Sequence, residues 1–263
     1  MTDVATVRLR ETQVTLGAGA AVVGALLAAV VNLAHGDLPA DPETALALVA
    51  ASPNWSLLHL GIMASILLIL GGLVGLSEVA EGPLARALAR LSVAAALPGA
   101  AVMLVGIGID GFATKELADL WAGAAGPDKA AAFRMAVSVE AVQNALFHTW
   151  AACFIGLPFL LIGLSGMAAG GGFPRWLGTV AVVGGAGALC TGIAGFLRVP
   201  VPGALFNVAA LVVTLWAFAA GVLAWSRRGR PATAMADGAD PPRDESHFRS
   251  SSGLEAAART VAR

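Results

Sequence analysis

The chain has 263 residues, of which 57% are hydrophobic and 13% charged, with a formal net charge of −1. Soluble domains average about 25% charged residues, so a soluble enzyme, a disordered chain, a nucleic-acid binder and a disulfide-rich secreted domain are all excluded. The near-neutral charge also supplies no field to attract nucleic acid or acidic lipid.

Six stretches reach the roughly 20 apolar residues that a membrane span needs. In chain order they are Val14–His35, Trp55–Ala80, Leu91–Ile109, Thr149–Ala168, Trp176–Leu197 and Gly203–Trp225. Lipid offers the backbone no hydrogen-bond partner, so all six are predicted to be helices and the fold all-α. The first apolar run is longer than a signal-peptide core and reads as a retained anchor. Between the third and fourth spans, residues 112–135 read as an interfacial segment, helical and broken at Gly126-Pro127. Trp55, Trp150, Trp176 and Trp225 fall near span ends and read as interfacial anchors. Cys153 and Cys190 lie in apolar runs, show no Cys-x-x-Cys spacing, and read as buried small hydrophobes.

Arginine and lysine placement sets the expected orientation. Arg8, Arg10, Arg86, Arg90, Arg175, Arg227, Arg228 and Arg230 fall on one side, and Lys115, Lys129, Arg134 and Arg198 on the other. Eight against four predicts a cell-membrane protein with both termini in the cytoplasm. Residues 1–13 then form a cytoplasmic N-terminus, 14–226 the transmembrane domain, and 227–263 a polar, proline-containing tail expected to be disordered.

The spans also repeat. The second begins Asn54-Trp55-Ser56-Leu57-Leu58-His59 and ends Gly75-Leu76-Ser77, while the fourth begins Gln143-Asn144-Ala145-Leu146-Phe147-His148 and ends Gly163-Leu164-Ser165. The third ends Gly108-Ile109-Asp110-Gly111-Phe112, matching Gly192-Ile193-Ala194-Gly195-Phe196 of the fifth. The chain therefore reads as three parallel hairpins, related by an axis along the membrane normal. His59, His148 and Asn207 take one equivalent position, and His35, Asp110 and Ala194 the other. Only His247, in the tail, lies away from this depth among the four histidines.

Glu140, Asn144 and His148 recur at i, i+4 and i+8 and share a helix face, with Gln143 beside them. Ionisable groups in membrane spans usually face a protein interior or a water-filled cavity. The bland reading is a wet rim whose groups cap helix ends and satisfy one another. The sharper reading is an outward-facing ligand pocket. Two histidines at one depth, His59 and His148, can clamp a haem b, with Asp110, Glu140 or Asn144 holding the imidazoles. Alternatively His35, His59, His148 and Asp110 can hold a zinc or copper ion. Electron transfer and sensing are the roles either group suggests.

A carrier of a small or hydrophobic solute is the next alternative, given Pro98-Gly99, Pro158 and Gly184-Gly185 within spans. No ionisable residue lies near mid-bilayer, which argues against a proton or sodium relay. The glycines then serve close helix packing. A structural membrane subunit without chemistry is the third. The lipid bilayer and a small-molecule ligand are the expected partners, and no particular reaction is indicated.

The turn Phe173-Pro174-Arg175-Trp176-Leu177-Gly178 resembles one found in a bacterial family of six-span membrane proteins of unknown function, as does the middle of the fourth span, Phe154-Ile155-Gly156-Leu157. The resemblance covers roughly Val14 to Trp225. It implies a six-helix membrane fold and no activity.

Overall fold

A computed structural model describes residues 4–227. The expected disordered tail and His247 lie outside them, apart from Arg227 at the end of the last helix. The described residues form helices α1 (Val4–His35), α2 (Pro42–Ala51), α3 (Trp55–Ser77), α4 (Pro83–Gly108), α5 (Lys115–Gly123), α6 (Gly126–Trp150), α7 (Leu157–Met167), α8 (Arg175–Phe196) and α9 (Gly203–Arg227). A π-helical turn, Ile109–Thr114, joins α4 to α5, and a second, Ala151–Gly156, joins α6 to α7. No strand occurs among the described residues.

Six helical stretches are long and apolar enough to cross a membrane: Val4–His35, Trp55–Ser77, Pro83–Gly123, Gly126–Met167, Arg175–Phe196 and Gly203–Arg227. Large apolar side chains point away from the bundle, Val30 at 64% and Leu33 at 87% exposure among them. Water would penalise such a surface, whereas lipid does not. The molecule is thus a polytopic helical membrane bundle.

The spans pack as a ring in chain order. α1 lies against α3, α3 against α4, α4 against α7, α7 against α8 and α8 against α9, and α9 returns to α1. In lipid, close packing rather than hydrophobic exclusion holds such helices together, and small residues permit it. A Cβ on Gly17 of α1 would stand 2.5 Å from Gly75 Cα of α3, so this contact is backbone on backbone. Buried serines tie α4 to the fourth span. Ser92 Oγ donates to the Pro158 carbonyl at 2.8 Å, and Ser165 Oγ to that of Ala85 at 2.7 Å. Such bonds contribute on average about 0.6 kcal/mol each in a bilayer.

The helices overrun the apolar runs. α1 starts at Val4, ten residues before the apolar stretch, and Arg10 anchors that extension through Nε to the Glu78 carbonyl at 2.8 Å. α4 starts at Pro83, an N-terminal position where proline's missing N–H costs nothing. At the opposite end of the ring, α2, α5 and the first half of α6 form a cap with its own small core of Leu46, Val49, Trp55, Ala118 and Ala136. α2 falls where only a loop was expected. Its start is nevertheless written in Asp41-Pro42-Glu43-Thr44, with Asp41 accepting from the Thr44 amide at 2.9 Å. The α5–α6 break falls at Ala124-Ala125, and Gly126 takes a positive φ of 54°.

Two tryptophans correct the anchoring expectation. Trp55 is 1% exposed and Trp150 is buried against Phe147 and Phe206, whereas Trp176 and Trp225 do face outward. Cys190 is also exposed on the outer face of α8 rather than buried.

Candidate metal centre

The cap end of the ring gathers His35, His59 and Asp110. One ligand atom from each lies within 4.8 Å of the others. The local sequence explains the convergence. A π-helical turn widens the hydrogen-bond ladder and leaves carbonyls for other donors. In Ile109–Thr114 those carbonyls are taken by the first turn of α3. Trp55 Nε1 donates to the Asp110 carbonyl at 2.9 Å, and Ser56 Oγ to that of Gly111 at 2.7 Å. One turn further along α3, His59 packs directly on Gly111, where a Cβ would collide with the Cβ and Cγ of the histidine. The glycine lets the π-turn approach, and the approach brings the Asp110 carboxylate to the ring.

His35 ends α1 and joins this stack. Its ring centroid is 4.6 Å from that of Trp55 and 5.0 Å from that of His59, while Trp55 and His59 are 4.7 Å apart. Trp55 is therefore the floor of the site, a role that its position at a span end concealed.

Hydrogen bonding fixes which nitrogens are free. His59 Nδ1 lies 2.8 Å from the Trp55 carbonyl, and His35 Nδ1 lies 2.7 Å from that of Gly36. A carbonyl only accepts, so each Nδ1 carries a proton and donates it. In the neutral rings, Nε2 is then a lone pair. This is the tautomer of a metal-ligating histidine whose second nitrogen is held by a backbone carbonyl.

His59 is 0% exposed, and its Nε2 stands 3.1 Å from Asp110 Oδ2. The distance suits an ion pair, yet Nε2 makes no hydrogen bond. On a neutral ring the Nε2 lone pair and the carboxylate oxygen repel at this separation, so the contact calls for a proton or a metal cation between them. Ligands on a tetrahedral zinc stand about 3.3 Å apart, as follows from bond lengths of about 2.0–2.1 Å.

A cavity of about 210 Å³ opens from the group into the ring. Asp110 also walls a second cavity of about 210 Å³ on the cap side, bounded by Leu38, Thr114, Glu140, Gln143 and Asn144. Glu140 and Asn144 therefore border a vestibule across Asp110 from the interior cavity.

His148 is not part of the group. It packs on Gly195 of α8, with Phe147 and Phe196 around its ring, and its buried Nδ1 has no hydrogen-bond partner. The pairing of His59 with His148 across a haem thus finds its two rings in separate contacts, on different helix interfaces. Three of the four residues expected to hold a metal ion are together, and His148 stands apart. Asn207, the third repeat position, is exposed. Gly111 and Trp55 were not singled out from sequence for the site. The matched Asp110-Gly111 and Ala194-Gly195 pairs were the available signal.

Compared with protein-family models, curated proteins and solved structures, the chain matches none. What stands of the family resemblance is its architecture, a polytopic bundle with six helices able to span a membrane.

Proposed function

We propose that this chain is a metal-binding protein of the cell membrane, holding one divalent transition-metal ion through His35, His59 and Asp110. The observation that carries the reading is the His59 Nε2 atom, buried, without a hydrogen-bond partner and 3.1 Å from a carboxylate oxygen. Two imidazoles and one carboxylate suit zinc, and also copper or ferrous iron. Three protein ligands leave a coordination position for water or a small molecule, and the interior cavity adjoins it. The arginine distribution supports a cytoplasmic location for both chain ends, which puts the cap and the metal centre on the outer side.

The test is elemental analysis and zinc titration of the full chain purified in detergent. One equivalent of metal is expected, and zinc at 100 times its Kd should stabilise the fold by about 2.7 kcal/mol. His59→Ala and Asp110→Asn should abolish that stabilisation, and His148→Ala should keep it. Absence of stoichiometric metal, or full zinc stabilisation of His59→Ala, refutes the reading.

A further inference from the structure

We infer that the interior cavity beneath the metal centre binds a small monoanion with a ring-sized apolar body, an aromatic carboxylate, whose head completes the coordination of the ion. This rests on the metal reading above and specifies its ligand. Size is the first argument. An engineered cavity of about 150 Å³ takes up benzene, so the 210 Å³ here holds a ring-sized body with a head group.

The walls are the second argument. Ile62, Ile66, Phe154, Phe159, Phe206 and Val213 line the cavity. Three polar side chains of its wall each spend a donor on the backbone. Asn32 Nδ2 donates to the Ala28 carbonyl at 2.7 Å, Ser65 Oγ to that of Ile62 at 2.7 Å, and Thr214 Oγ1 to that of Ala210 at 2.8 Å. Each bond lies within its own helix. A ligand polar along its whole length would find few donors there beyond the second Asn32 N–H and the Trp150 indole N–H, whereas one polar at a single end finds the His59 Nε2 side of the cavity.

Charge is the third argument. A divalent ion on two neutral imidazoles and one carboxylate keeps a net charge of +1. Among the described residues lining the cavity, Asp110 is the only acidic one, and no lysine or arginine is present. Uncompensated charge is costly in a low-dielectric interior. An anionic fourth ligand removes that cost, a neutral one does not, and a cation adds to it.

The experiment uses the full chain in detergent, loaded with Co(II) as a coloured substitute for zinc, with benzoate and acetate as probes. Benzoate should shift the cobalt d–d bands saturably, and acetate should bind at least tenfold more weakly. Ala210→Phe and Thr214→Leu fill the cavity without touching the metal ligands. Each should weaken benzoate tenfold or more while cobalt content and the acetate response hold. Equal affinity for the two probes, or unchanged benzoate affinity in both filled variants, overturns the cavity proposal and leaves the metal reading intact. A chain that takes up no cobalt overturns both.

Discussion

His59 and His148 occupy matching places in successive hairpins, and each rests on a glycine of the following helix, Gly111 under one and Gly195 under the other. The scaffold is the same; the neighbours are not. Beside Gly111 stands Asp110, with His35 arriving from the end of α1. Beside Gly195 stands Ala194, and Phe147 and Phe196 surround the ring. One copy has the donors for chemistry. The other has kept the packing and left a buried nitrogen unpartnered. Histidine on glycine is thus a packing device, and a carboxylate at the adjacent position sets a second polar group against the ring.

The strongest way to break this comparison is to fill the two glycines. Gly111→Ala and Gly195→Ala each push a methyl into the histidine, and overpacking of this kind costs about 1–3 kcal/mol. Thermal unfolding in detergent should show similar losses for the pair. Zinc titration should separate them, with affinity lost in Gly111→Ala and retained in Gly195→Ala. Equal zinc loss in both would mean that the sites act as one.

A smaller effect of opposite sign is expected at His148. A buried polar group without a partner costs about 1–3 kcal/mol, and His148→Phe removes it among aromatic neighbours. The variant should unfold at a higher temperature with zinc binding unchanged. Destabilisation would show that Nδ1 is satisfied after all.

The smallest effect is expected in the cap, which supports only the first copy because α2 packs on Trp55. The Thr44 hydroxyl and then its amide hold the Asp41 carboxyl below its usual range. A lowered folded-state value means that this contribution is present above the ordinary carboxylate range. It is lost as pH falls through the lowered value. Amide protection in α2 should therefore weaken at acid pH in the parent chain and be weak at every pH in Asp41→Ala. Protection that is identical in the two proteins would remove Asp41 from the account.

The six spans were legible because lipid demands long apolar helices, and apolar runs are plain in sequence. Their ends were less so, since Val4–Gln13 and Pro83–Arg90 are helical through contacts such as Arg10 with Glu78 rather than through hydropathy. That His35, His59 and Asp110 meet at one end of the bundle was readable from topology. Their direction was not. A repeat about the membrane normal sets equivalent residues at one level, but here each histidine faces the next hairpin, so equivalent rings point into different interfaces. For the same reason Trp55 read as an anchor, although the π-turn carbonyl that holds its indole is visible only once α3 and α4 are packed.

The ring closes with its last member. His35, His59 and Asp110 all belong to the first three spans, whereas Phe206, Ala210 and Thr214 belong to α9. In chain order the three side chains precede the last wall of the compartment they face, which only the final helix supplies. A chain shortened before α9 would therefore keep its donors and lose the room they face.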